Sequence, residues 1–150
     1  TALLHLGDGH WLAATRSDVG GEDEAAGGFK LYASSDDAKT WTCHGKVTGP
    51  DQHPGHLTRL DDGTILLTYG NRQEPRGVDV RLSDEEGATW SEPCRLLGFR
   101  RDGGYPSSVQ LPDGQVLTAY YARSRPNHDR YHMGVVTWDP VETSPYRAVP

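Results

Sequence analysis

The stretch HLTRLDDGTILLTYGNRQEPRGVDVRLSDEEGATW, residues His56–Trp90, decides the fold because its parts recur on both sides. A Leu-x-Asp-Gly-x-x-Leu turn appears at Leu6–Leu12, Leu60–Leu66 and Leu111–Leu117, its Asp-Gly pairs 54 and then 51 residues apart. A second signature, Ser-x-acid-x-small-x-Thr-Trp, occurs at Ser34–Trp41 and again at Ser83–Trp90, its tryptophans 49 residues apart. Two unrelated signatures that repeat in one order at one period mark tandem units.

Each unit reads as four strands. In the middle one, His56–Leu60 precedes the tight turn that Asp-Gly favours, and Thr64–Gly70 is a continuous apolar, β-branched strand. Asn71–Gly77 is a loop broken by Pro75 and Gly77, Val78–Leu82 alternates as a half-buried strand does, and Cys94–Leu97 is the fourth. The first unit follows with Ala2–Leu6, Trp11–Ala14, Phe29–Ala33 and a strand after Trp41. The third offers Ser107–Leu111, Val116–Tyr121 and His132–Trp138, and then no second signature. The expected fold is all-β: antiparallel four-stranded blades of a β-propeller, approximately residues 1–50, 51–101 and 102–150. Propellers take about 4–8 blades, so three are read as part of a larger, six-bladed ring. The other blades are expected from the same longer chain, with a homodimer as the alternative.

Composition agrees. Hydrophobic residues make up 35% of the chain, and 18 Gly with 10 Pro call for many turns. The net charge of −6 argues against nucleic acid as a partner. No run approaches the ~18 apolar residues that span a bilayer as a helix. Cys43 and Cys94 occupy equivalent places in successive units, too far apart for a disulfide, and are read as free thiols.

In an antiparallel meander alternate turns lie at opposite ends. The Asp-Gly turns and the Ser/Trp signatures therefore share one rim. The other rim collects Arg16, Asp18, Glu22, Asp23, Glu24, His53, His56, Arg72, Glu74 and Arg76, then Arg100, Arg101, Asp102, Tyr105, Arg123, Arg125, His128, Asp129 and His132. Several arginine forks converging near a propeller axis point to an anionic ligand.

The Ser-x-Asp-x-Gly-x-Thr-Trp signature resembles the Asp-box, or bacterial neuraminidase repeat, of the sialidase superfamily. Gly104-Tyr105-Pro106-Ser107-Ser108-Val109-Gln110-Leu111-Pro112-Asp113-Gly114 is similar to the sialidase segment that carries a tyrosine nucleophile. The resemblance runs from Ala2 to Trp138. It departs from the family at Ala38, Glu85 and Pro106, where Gly, Asp and Ser are the pattern, and at His53-Pro54-Gly55-His56, where a glutamate might stand. It implies a glycoside hydrolase acting on a sugar that bears a carboxylate, with Tyr105 as nucleophile. Arg72 or Arg76 matches the last arginine of the carboxylate clamp, and Arg16 the one before. A neutral phenol avoids like-charge repulsion beside a carboxylate, and sialidases are known among glycosidases for using tyrosine. The boxes are read as scaffold.

Two other readings remain open. His53, His56, His128 and His132 beside Tyr105 could supply a base and an acid near neutral pH, making a His/Tyr lyase of uronate polymers. Alternatively, the rim is a non-catalytic carbohydrate-binding surface. No cofactor is called for, and no histidine pair has convincing zinc-ligand spacing.

Overall fold

The computed structural model describes residues 1–17, 27–125 and 128–143. Strands β1 (Ala2–Gly7), β2 (His10–Arg16), β3 (Phe29–Ser34) and β4 (Thr42–Lys46) form one antiparallel sheet in chain order. Strands β5 (Gln52–Arg59), β6 (Ile65–Asn71), β7 (Gly77–Ser83) and β8 (Cys94–Gly98) form the second. The third holds β9 (Gly103–Gln110), β10 (Val116–Arg125) and β11 (His128–Trp138), followed by one helical turn, α1 (Pro140–Thr143). This is an all-β meander of propeller blades.

Two of the three repeated Asp-Gly turns are built alike. Gly63 and Gly114 sit at φ 94° and 87°, in the left-handed region that a side chain disfavours. Their amides bond to Leu60 and Leu111 at 3.0 and 2.9 Å. Asp62 and Asp113 accept the amides of Thr64 and Gln115 at 2.9 and 3.1 Å, the local bond for which Asp is favoured in turns.

The core lies between blades. Strand β6 is buried along its whole length, and successive side chains point to opposite faces. Ile65, Leu67 and Tyr69 join Leu12, Ala14, Phe29 and Leu31 of blade one, while Leu66 joins Val116 and Trp138 of blade three. That explains the unbroken apolar run in TILLTYG. On the same face as Leu66, Thr68 bonds to Ser108 at 3.0 Å, Ser108 to Thr118 at 2.9 Å, and Thr118 accepts the Trp138 indole N–H at 2.9 Å. A buried hydroxyl chain thus satisfies the polar groups between blades two and three.

Two strands begin earlier than the sequence reading placed them. Strand β5 starts at Gln52, so His53 lies in a strand rather than a crossover, and β9 starts at Gly103, so Tyr105 does too. In both, a register irregularity absorbs the X-Pro step: Gln52 pairs Asn71 and Gly55 pairs Tyr69, while Gly104 pairs Tyr121 and Ser107 pairs Ala119. Pro54 and Pro106 have no N–H to donate, and a bulge is where a ladder tolerates that. Cys43 and Cys94 are free thiols. No helix among the described residues is long and apolar enough to cross a membrane.

Candidate functional site

Blades two and three meet closely at the rim opposite the Asp-Gly turns. A Cβ added to Gly70 would lie 3.1 Å from the Gly104 Cα, and one added to Gly104 would lie 3.0 Å from the Gly70 Cα. Two residues beyond Gly70 stands Arg72; one beyond Gly104 stands Tyr105. The glycine contact therefore brings the two candidate functional side chains together. The Arg72 guanidinium lies 5.7 Å from the Tyr105 ring centroid, within cation–π range.

Tyr105 is 58% exposed, and its backbone is in the left-handed region at φ 50°. A bulky residue there is strained, and such strain persists only where the surroundings over-determine it. The surroundings are aromatic and charged. The Tyr105 and Tyr121 rings are 5.4 Å apart, and Tyr121 and Tyr131 are 5.7 Å apart. The Tyr121 and Tyr131 hydroxyls donate to one oxygen, Oδ2 of Asp102, at 3.2 and 3.1 Å. Burial first, and then the Asp102 charge, push the Tyr121 phenol pKa up, so it stays protonated.

Arg72 and Arg123 hold equivalent places in their blades: their amides bond to the Asp51 and Asp102 carbonyls at 3.0 and 2.7 Å. Arg72 also donates to the His53 carbonyl and lies 3.3 Å from the His53 ring and 3.8 Å from Asp102. Arg76 donates to the carbonyls of Arg72 and Arg101, each at 3.1 Å, and pairs with Glu74 at 3.3 Å. It braces the crossover as much as it faces solvent. Arg101 and Arg123 share Asp129 at 2.8 and 3.1 Å. Arg72, Arg76, Arg101 and Asp102 line an open depression of about 410 Å³. Exposed ion pairs of this kind are worth roughly 0–1 kcal/mol, so an incoming anion can displace the resident carboxylates at little cost.

Arg16 is exposed at the end of β2 on the same rim, on the face shared with Leu12 and Ala14 that meets blade two. His53 is buried and serves as a support under Arg72. His56 is half-buried on β5; its Nδ1 accepts the Ser108 amide at 3.2 Å and lies 3.1 Å from the Thr58 hydroxyl. Burial lowers its pKa, keeping a neutral ring that ties two blades together. Asp18, Glu22, Asp23 and Glu24, and the side chains of Arg125 and His128, lie outside the described residues. Among the described residues no group of three His, Cys, Asp or Glu is arranged to hold a metal.

Tyr121 and Tyr131 join the site without a motif that marks them. A signal existed: alternation along β10 puts Tyr121 and Arg123 on one face, away from buried Val116, Thr118 and Ala122.

The Ser/Trp boxes sit on the other rim, each knit by hydrogen bonds of its own. Asp36 accepts the amides of Lys39 and Thr40 at 3.1 and 2.9 Å and the Thr40 hydroxyl at 2.6 Å. The Trp41 indole donates to the Ala38 carbonyl at 3.1 Å, and Trp90 to the Gly87 carbonyl at 3.0 Å. A Cβ on Gly87 would come within 2.9 Å of Leu12 of blade one.

No family model matches the chain, and no curated protein matches it. Solved structures do. A protein of unknown function from Dyadobacter fermentans matches with a TM-score of 0.70 at 27% identity, over 90% of this chain and 36% of its own. An ulvan lyase bound to -[GlcA(1-4)Rha3S]-, from a polysaccharide lyase family, matches at 0.70 and 14% identity, over 94% of this chain and 38% of its own. The Penicillium chrysogenum α-L-arabinanase complexed with arabinobiose matches at 0.64 and 18% identity, over 85% and 40%. The chain thus spans less than half the length of each. The likeness carries the propeller fold. The resemblance to sialidases in particular stands on the two boxes and the tyrosine segment alone.

Proposed function

We propose that this chain is part of a carbohydrate-active β-propeller that cleaves a glycoside whose sugar bears a carboxylate. Tyr105 is the reacting group, and Arg72, with Arg76 and Arg16, receives the carboxylate. The observation that carries the reading is the Arg72 guanidinium 5.7 Å over the ring of an exposed tyrosine. That spacing lets one sugar ring present its carboxylate to the guanidinium and its anomeric carbon to the phenol. Kinship of fold with glycoside hydrolases and a polysaccharide lyase supports it. In the hydrolytic course the Tyr105 oxygen attacks the anomeric carbon as its proton passes to a base. The bond to the leaving oxygen breaks, that oxygen takes a proton, and water then releases the sugar from Tyr105. A free phenol has pKa ~10 and needs such a base. The remaining blades, from the same longer chain or from a second copy, complete the ring.

The test uses the full-length protein. Wild type releases the fluorophore from a fluorogenic sialoside, and Tyr105→Phe abolishes release with an unchanged thermal melt. Release that survives the substitution removes Tyr105 as nucleophile. A second reading, a lyase, draws on the ulvan lyase match and on the Tyr121 phenol held protonated beside the site. It is distinguished by an unsaturated product, absorbing in the near ultraviolet, from a uronate polymer. Glycan retention on a column without turnover of either substrate leaves only a binding surface.

A further inference from the structure

We infer that Asp102 is the positioning residue of this site: it holds Tyr121, one neighbour of the Tyr105 ring, in place and lies beside the other, Arg72. The inference rests on the site reading above, but its geometry stands on its own. One carboxylate oxygen accepts the Tyr121 and Tyr131 phenols at 3.2 and 3.1 Å, and the other faces the Arg72 Nε at 3.8 Å. The backbone beneath is fixed as well, because the Asp102 carbonyl accepts the Arg123 amide at 2.7 Å. Hydrogen bonds to an ionised acceptor are the stronger kind, and a carboxylate has room for several.

Tyr105 needs such support. It sits in a bulge with a left-handed backbone and is largely exposed. Its ring is bounded by Tyr121 at 5.4 Å and the Arg72 guanidinium at 5.7 Å, and Asp102 touches both of these groups. Asp102 comes from the crossover between blades two and three, Arg72 from the end of β6, and Tyr121 from β10. One side chain therefore couples three segments around the reacting phenol. When a substrate carboxylate draws Arg72 away, Tyr121 and Tyr131 still satisfy Asp102, so the aromatic wall stays in place during binding.

Phenol ionisation, followed by ultraviolet absorbance in the full-length protein, tests the contact directly. With Asp102→Asn the charge that opposes Tyr121 ionisation is gone, so one phenol titrates at lower pH than in wild type. On a background that lacks both the Tyr121 and Tyr131 hydroxyls the same substitution moves nothing. Superposable curves for wild type and Asp102→Asn, or a shift that persists when both hydroxyls are gone, overturn the inference. Turnover of the sialoside or uronate polymer gives the second readout. Tyr121→Phe keeps the ring and loses the tether; kcat falls on the order of 10²-fold at unchanged KM, as for a small misplacement of a reacting group. Asp102→Glu recovers part of the turnover lost in Asp102→Asn. Wild-type kcat in Tyr121→Phe also overturns the inference, including in the case where Asp102→Asn does not fold. If wild type turns over neither substrate, the enzymatic reading fails while the titration still judges the Asp102–Tyr121 contact.

Discussion

At the scale of single residues, the two rims use the same side-chain chemistry for different ends. Asp36 has its acceptor capacity absorbed by its own turn, and those bonds, the Thr40 hydroxyl first, hold its pKa down at about 2. A carboxyl whose folded pKa is depressed stabilises the fold above its unfolded pKa, and loses that contribution as pH falls through the folded one. Acid titration of the first box should therefore show stability lost from the ordinary carboxyl range down through about pH 2. Asp36→Asn should flatten that part of the curve, and thermal melts across the range check it. Asp102, by contrast, spends its oxygens on side chains from other segments. Tyr105 is the complementary case: the segment around it resembles a nucleophile motif, and its exposure and left-handed backbone set it out toward solvent. Its phenylalanine variant, which keeps the ring contacts, is the cleanest probe of the hydroxyl.

At the scale of elements, the decisive feature is how closely β6 and β9 approach. A Cβ on Gly70 or Gly104 would press on the facing backbone at 3.0–3.1 Å, and the bulge after Gly104 turns Tyr105 outward. A valine at Gly70 should force the strands apart, costing on the order of 1–3 kcal/mol as overpacking does. Activity should fall more than that loss of stability explains, because the Arg72–Tyr105 distance changes. Kinetics measured well below the melting temperature separate the two effects. Much of the element structure was legible: strand order, the Asp-Gly turns and the buried run in β6 follow from local pattern. The early starts of β5 and β9 were not, because Pro54 and Pro106 read as strand breakers until bulges accommodate them.

At the scale of the molecule, each interblade core is assembled from both partners, so a blade without a neighbour leaves apolar surface bare. On blade three, Tyr131, Met133 and Val135 alternate along the outward face of β11, with Met133 78% exposed. Blade one leaves Leu3 and Trp41 bare. If a further blade covers β11 in the full-length protein, Met133→Asp should lower its stability by roughly 1–3 kcal/mol. If β11 faces water there, the change should stay within about 0.5 kcal/mol. Denaturant unfolding of the full-length variant distinguishes these outcomes. Inside the blade one–two core, Leu67→Ala should cost about 2–5 kcal/mol by cavity formation in either case.

The sequence by itself determined the blades, because the period of the repeats, the turn glycines and the alternation of apolar residues act over a few neighbours each. It also marked out the rim on which Arg72 and Tyr105 lie, since that follows from counting turns. Only the tertiary structure decided that these two side chains meet, that His53 is a buried support, and that Asp102 gathers Tyr121, Tyr131 and Arg72. Those contacts join residues about 19–33 positions apart. They depend on the close packing of one blade on the next, a distance that no local pattern encodes.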